Sequence, residues 1–297
     1  MKGRLKTILG PIILAATIVA FVYYIKQHPA TVDQILQLPP LTVVVLLGLY
    51  LVVFLAYAMV TRASLGIYDK KMSIQENILF NAYSSLINFF GPGQSGPVFR
   101  GAYLKKRHGL SVRQFMFTTF IYLGFYAVLS ALLMFVGSRP WWQTVLLMAV
   151  ISAASLAWIW RYKQRAKIGA VRGFTLGNVS WIFGATAIQV LAVVIIYGVE
   201  LQRVGAGASI GQVMSYTGVA NFSLFVALTP GAIGIREAFL VFSQNLHHLG
   251  SNIIVAANVI DRAVYLVFLG LLFILVLALH AKKKLGVERL QAEDADK

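Results

Sequence analysis

Charged residues in strongly apolar sequence are the first candidates for chemistry in this chain. Arg236 and Glu237 follow a Pro-Gly turn, and Asp261 and Arg262 lie inside the last long apolar stretch. Charges in apolar surroundings are costly, so they are kept where they bind a polar ligand or pair with one another. We expect Arg236, Arg262 and Arg100 to meet an anionic group. Glu237 and Asp261 would then balance these cations or carry a proton. The alternative is a structural salt-bridge lattice, for example Glu237 with Arg262.

Two Pro-Gly breaks interrupt apolar sequence and share the spelling Pro-Gly-x-x-Gly followed closely by Arg. They contain Pro92, Gly93 and Gly96 in the first copy and Pro230, Gly231 and Gly234 in the second. Glycine permits close backbone approach, and proline starts or ends a helix. Backbone amides exposed at such breaks favour anions, which suits a phosphate. Asn88 and Asn221 precede the two breaks, and we expect them to contribute to the same site.

The elements that position these residues are membrane helices. Of the 297 residues, 59% are apolar and 12% are charged, and the mean hydropathy is +0.76. Runs of roughly 20 apolar residues, the length that crosses a bilayer as a helix, recur along the chain. The composition therefore predicts an all-α polytopic membrane protein. The six predicted spans are Thr7–Ile25, Leu41–Val60, Phe115–Gly137, Trp141–Trp160, Leu176–Val199 and Ile253–Leu279.

Two further apolar stretches, Ile74–Leu104 and Ile210–Leu246, contain the Pro-Gly breaks and polar residues. Neither half of either stretch is comfortably long enough to span alone, so each is predicted to be a re-entrant hairpin, which is tolerated where it faces protein or a wet cavity. With both termini in the cytoplasm, 21 of the 26 Lys and Arg residues fall on the cytoplasmic side, as the positive-inside rule requires. A full crossing by the first hairpin would put Lys105, Lys106 and Arg107 outside.

The same topology explains the net charge of +16. Basic residues near the surface attract anionic lipid headgroups, so nucleic acid is not expected as a partner. The first span is expected to be an uncleaved anchor, because no small-residue cleavage site follows it.

Several function classes are excluded by composition. The chain has no cysteine, so thiolate nucleophiles, iron–sulfur clusters and Cys-based zinc sites are absent. His247 and His248 have no acidic residue at a ligand-like spacing, and no phosphate-binding loop is present, so we expect neither a metal, nor ATP drive, nor another cofactor.

The order of elements repeats. Each half reads span, span, broken hairpin, span, and three crossings per half force the second copy to be inverted. We predict one membrane domain, 1–285, with inverted halves of about 1–138 and 139–285, and a short cytoplasmic tail at 286–297. The two opposed hairpins would form a substrate site near the midplane, as in many secondary transporters.

On the residues from Asn88 to Arg100 and from Thr229 to Ala238, the chain resembles the flippase-like transmembrane region of lysylphosphatidylglycerol synthases. The resemblance covers nearly all of 1–285 and implies movement of a lipid with a charged or bulky headgroup between leaflets. In the fused enzymes an aminoacyl transferase domain follows, whereas only a short tail follows here. The chain is therefore expected not to make lysyl-lipid, and a separate lipid-modifying enzyme is an expected partner.

The leading hypothesis is a flippase or scramblase of the cell inner (cytoplasmic) membrane, and not an enzyme. Its partners would be membrane lipids, either an anionic phospholipid or a polyprenyl-phosphate lipid. An ion-coupled carrier of a small solute would use the same architecture. A membrane-embedded lipid phosphatase is the third hypothesis, because such enzymes also use opposed hairpins. The first break, however, offers Ser95 and Arg100 without the His or acidic pair that phosphatase chemistry requires.

Overall fold

The computed structural model describes residues 38–90, 95–136, 174–226 and 235–295, together with the isolated positions 146, 150, 157 and 161. These residues form helices and connecting turns, with no strand among them. The helices are α1 Pro40–Gly66, α2 Ile74–Phe90, α3 Ser95–His108, α4 Val112–Val136, α5 Leu176–Arg203, α6 Ile210–Ser223, α7 Ile235–Phe242, α8 Gln244–His247 and α9 Ser251–Ala295, and a 3-10 turn at Leu224–Val226 continues α6.

Four helices are long and apolar enough to cross a membrane: Pro40–Gly66, Val112–Phe135, Leu176–Arg203 and Ser251–Leu279. They coincide with four of the six predicted spans, which are therefore confirmed as long apolar helices. The other two predicted spans, 7–25 and most of 141–160, lie outside the described residues. Large apolar side chains such as Leu41, Leu191 and Ile274 are at least 60% exposed, as expected of a surface that faces lipid.

Serine caps start the two broken stretches in the same way. The Ser73 hydroxyl accepts from the Glu76 amide at 3.2 Å, and the Ser209 hydroxyl accepts from the Gln212 amide at 3.3 Å. The Ser209 amide in turn donates to the side-chain oxygen of Gln212, which completes a capping box. The starts of α2 and α6 are thus encoded locally.

The first broken stretch is an antiparallel helical hairpin. The Tyr103 hydroxyl of α3 donates to Glu76 of α2 at 2.7 Å at one end, and the Gly96 amide donates to Asn88 at 3.3 Å at the other. In the second stretch α7 packs against α6, and α8 follows it. α2 has 17 residues, α3 and α6 have 14 each, and α7 has 8. All are shorter than the roughly 20 residues that a span requires.

Helix packing follows the order of the two halves. α1 packs against α5 at the centre, α4 packs on α5 and α6, and α9 packs on α1 and α2. Within the halves, contacts of α1 with α2, α2 with α3, and α3 with α4 correspond to contacts of α5 with α6, α6 with α7, and α7 with α9. The described helices therefore show the same order of contacts twice along the chain.

Two glycines permit close approach between these helices. A Cβ on Gly218 of α6 would lie 2.6 Å from the Ser130 carbonyl of α4, and one on Gly96 of α3 would lie 2.7 Å from the Asn88 Cβ of α2. Neither site has room for a side chain. Small residues at helix contacts are typical of membrane bundles, because dispersion and hydrogen bonds drive association there.

Candidate functional site

A cavity of about 380 Å³ lies between the long helices and the short helices of the broken stretches. α1, α2, α4, α5, α7 and α9 all contribute to its wall. Aromatic rings dominate the lining, and it also contains hydroxyl and amide groups from Ser84, Ser85, Asn88 and Gln189. The tyrosines that line it are Tyr50, Tyr57, Tyr122, Tyr126, Tyr197 and Tyr265. Its size falls in the range of small-molecule sites.

A buried ion pair lies at this cavity. The Arg236 guanidinium of α7 donates to the Asp261 carboxylate of α9 at 2.6 Å and to the Tyr197 hydroxyl of α5 at 2.6 Å. The Tyr50 hydroxyl of α1 donates to the same carboxylate. Arg236 and Asp261 are each about 5% exposed. Hydrogen bonds from several helices thus support both charges, as a buried pair requires, although the Arg236 Nε donates to no acceptor among the described residues.

A second pair lies beside the first. The Arg262 guanidinium is 3.6 Å from the Glu237 carboxylate, and Arg262 lines the cavity while remaining 8% exposed. The salt-bridge lattice considered from the sequence is therefore present, including the Glu237–Arg262 contact. Because Arg236, Asp261 and Arg262 all line the cavity, the lattice also supplies charges that a ligand could contact.

Arg100 lies apart from this cluster. Its guanidinium donates to the Thr61 hydroxyl at 2.6 Å and to the Asn81 carbonyl oxygen at 3.1 Å, and it lies 4.1 Å from the Tyr57 ring centre. It borders a separate cavity of about 30 Å³, which shares Tyr57, Pro97 and Tyr122 with the central cavity. Within the described ranges, no carboxylate lies within 4 Å of this guanidinium. A carboxylate therefore neutralises the charge of Arg236, whereas the described hydrogen-bond partners of Arg100 are neutral.

Of the remaining predicted site residues, some line the central cavity and others do not. Asn88 lines the central cavity, whereas Asn221 is 1% exposed and its carbonyl oxygen accepts from the Tyr126 hydroxyl at 2.8 Å. Gly96 lies in the first turn of α3. The other break residues, Pro92, Gly93, Pro230, Gly231 and Gly234, lie outside the described residues.

Sequence reasoning missed Glu200 and the tyrosines. Glu200 is 1% exposed, although hydropathy places it just past a predicted span. A signal for the tyrosines was available, because Tyr50 and Tyr57 recur at helical spacing along one face of α1. Glu200 offered no such signal, since its burial depends on the packing of α5 against α1, α6 and α9.

The mouth of the first hairpin carries its own charge cluster. Partial burial opposes ionisation of Glu76, but hydrogen bonds from Tyr103 and His108, with the charges of His108 and Arg107, lower the pKa of this carboxyl. Burial and the bond to Glu76 raise the pKa of Tyr103 to about 12. This cluster joins the two ends of the hairpin. Among the residues that the structure describes, no three potential metal ligands converge.

The family model described as the lysylphosphatidylglycerol synthase TM region matches residues 8–273. The match covers all the helices from α1 to α8 and most of the apolar part of α9. No curated protein and no solved structure matches the chain.

Proposed function

This chain belongs to the family of the lysylphosphatidylglycerol synthase transmembrane region, and from that premise we propose that it moves a phosphate-containing lipid between the leaflets of the membrane. It would act as a flippase or scramblase without its own ATPase. The substrate would be an anionic phospholipid or a polyprenyl-phosphate lipid, supplied or consumed by a separate lipid-modifying enzyme.

The central cavity is the observation that carries this proposal. It places Arg236, Asp261 and Arg262 among tyrosines, at the junction of helices from both halves. A headgroup needs a polar path of this kind, because phosphate does not cross hydrocarbon unaided. The guanidinium group stays charged and binds phosphate through paired donors. The acyl chains would remain in the bilayer during transfer.

We further propose that the protein lies in the cell inner membrane, with six spans and two re-entrant hairpins. Its two halves would be inverted relative to each other, and both termini would lie in the cytoplasm. The antiparallel α2–α3 hairpin supports re-entry, because its two ends meet at Glu76 and Tyr103. Packing that repeats between the halves supports the internal repeat. The cluster of basic residues at Lys105, Lys106 and Arg107 supports a cytoplasmic mouth.

We propose Arg100 as a second binding site for the phosphate along the transport path. It is buried, and its described partners are neutral. The Tyr57 ring borders both cavities, so movement of this side chain would connect them. A buried cation without a carboxylate has more charge to offer an anion than Arg236, which Asp261 neutralises.

Two other functions use similar architecture. A small-solute carrier would also fit a cavity of this size, and only the ligand separates it from a lipid transporter. The phosphatase hypothesis needs an activated nucleophile. The Ser95 hydroxyl instead donates to the Ile87 carbonyl at 2.8 Å, which ties it to the hairpin. We therefore propose a transporter and not an enzyme.

Reconstitution tests the proposal. Purified protein in liposomes should make labelled phosphatidylglycerol of the inner leaflet accessible to an impermeant quencher. Ser85→Trp fills the central cavity without changing its charges and should abolish this flux. Gln75→Trp is the matched control, because Gln75 lies on the same helix and is exposed. Equal flux in the two tryptophan variants would mean that the cavity is not the route. Transport of a water-soluble anion without lipid flux would favour the solute carrier.

A further inference from the structure

Glu200 is a buried carboxyl that neither ion pair uses. It lies in the last turn of α5, one helical turn after Tyr197, and is 1% exposed. Its Oε1 atom is fully buried and accepts no hydrogen bond within the described part of the chain. An ionised carboxylate in such surroundings loses its hydration and receives little in return.

The charges around Glu200 are already balanced. Within the described ranges, Asp261, Arg236 and Arg262 are the charged groups that act on it electrostatically. Arg236 pairs with Asp261 at 2.6 Å, and Arg262 lies 3.6 Å from the Glu237 carboxylate. Two cations therefore meet two anions before Glu200 is counted. An ionised Glu200 would add a surplus negative charge to a buried, neutral cluster.

Among the described residues, the other titratable groups near Glu200 do not supply a compensating cation. These groups are the tyrosines Tyr50 on α1, Tyr197 on α5 and Tyr216 on α6. Each is neutral when protonated, and none carries positive charge in any form. A proton on Glu200 is the remaining way to keep the cluster neutral.

We propose that Glu200 holds a proton in this conformation and is the site at which the protein couples proton binding to the binding of a lipid phosphate. The O–H bond forms with a proton taken from water and breaks by its return to water. The coupling between proton binding and phosphate binding rests on the proposed function. The proton on Glu200 does not depend on that function.

The sign of the linkage follows from charge. A phosphate at Arg236 and Arg262 repels an ionised Glu200, so the anion binds more tightly when Glu200 is protonated. By reciprocity, bound phosphate increases the affinity of Glu200 for its proton. Lipid anion and proton therefore bind together. A proton gradient across the membrane could then drive lipid in one direction without ATP.

Infrared spectroscopy and thermal melting of the purified protein test the proton directly. The absorption band of a protonated carboxyl should be present in the wild type at neutral pH and reduced in Glu200→Gln. Glu200→Gln should also keep the wild-type melting temperature, because an amide is close in shape to a neutral carboxyl. Glu76→Gln is the matched control and should leave the band unchanged. An unchanged band in Glu200→Gln, or a large loss of its stability, would show that Glu200 is ionised and would overturn the proposal.

Binding of dihexanoyl phosphatidylglycerol tests the linkage. Wild-type affinity should fall about fivefold or more as rising pH ionises Glu200, a change typical of coupled sites. Glu200→Gln should retain the low-pH affinity throughout, while Glu76→Gln should follow the wild type. A wild-type affinity that does not change with pH, with the infrared band assigned to Glu200, would overturn the coupling and leave the proton in place. Absence of lipid binding at every pH would count against both the proposed function and the coupling. The conclusion that Glu200 is protonated would not be affected.

Discussion

The carboxylate of Asp261 lies 2.6 Å from the guanidinium of Arg236, and both side chains are more than nine-tenths buried. The pair joins the short helix α7 to the long helix α9. Tyr197 and Tyr50 add hydrogen bonds from α5 and α1. One ion pair thus connects four helices at the central cavity, so it has both a structural role and contact with any ligand there.

Removal of one member of this pair should destabilise the protein strongly. Arg236→Ala strands the buried Asp261 carboxylate, for which about 3–5 kcal/mol is typical. Adding Asp261→Asn should restore part of the loss, because it removes the stranded charge. Melting temperatures in detergent measure both effects, with the exposed Arg203→Ala as control. No rescue by the second substitution would mean that the guanidinium stabilises the fold through Tyr197 rather than through its charge.

Arg100 should behave differently from Arg236. Arg100→Gln removes a cation whose described partners are neutral, so the loss of stability should be smaller than in Arg236→Ala. Lipid flux should nevertheless fall about tenfold or more, the range expected when a hydrogen bond to a charged group is lost. Arg100→Lys should retain part of the flux. Arg62→Gln, an exposed site on α1, should have no effect. Wild-type flux in Arg100→Gln would remove Arg100 from the transport path.

The glycine contacts should tolerate no side chain. Gly96→Ala and Gly218→Ala place a Cβ within 2.7 Å of neighbouring atoms, and overpacking of this kind costs about 1–3 kcal/mol. Gly184→Ala has open space around its Cβ and should change stability by about 1 kcal/mol or less, with stabilisation expected from helix propensity. Thermal melts of the three variants compare these sites. Equal melting temperatures would contradict the close packing of α2 with α3 and of α4 with α6.

His247 should make stability depend on pH. Its ring is buried, its Nε2 donates to the Leu240 carbonyl at 3.0 Å, and its Nδ1 accepts from the Leu249 amide at 3.2 Å. This pattern requires neutral imidazole, and burial lowers the pKa of His247. The stabilisation that neutral His247 contributes is complete above the ordinary histidine pKa near 6.5. It is lost as the pH falls through the lowered pKa of the folded state. His247→Gln should flatten melting temperature over this range, whereas the exposed His248→Gln should not.

Accessibility in whole cells tests the topology. The chain contains no cysteine, so single-cysteine variants can be made without other changes. Lys105→Cys should resist a membrane-impermeant reagent in intact cells, and Ser251→Cys, at the start of α9, should react. Both side chains are exposed in the fold, so the difference would reflect the side of the membrane. Ready labelling at Lys105→Cys would contradict re-entry and the inverted repeat.

Local sequence was sufficient to predict the four long helices that the structure describes. Runs such as 41–60 and 176–199 have no charge and the length of a span, so hydropathy alone indicates them. The α2 start at Ser73 and the α6 start at Ser209 follow from capping, which needs only four consecutive residues. The identity of the unusual charges, Arg236 and Asp261 among them, was also visible, because charge in apolar sequence is rare.

Tertiary packing alone decided how these residues combine. Asp261 pairs with Arg236, 25 residues away, because α7 packs on α9. Arg100 lies behind Tyr57 rather than beside Arg236, although both follow similar breaks. Glu200 is buried because α1, α6 and α9 cover the end of α5. Hydropathy reports the average surroundings of a segment, whereas pairing and burial depend on which helix faces which, and that is set by contacts between residues far apart in the chain.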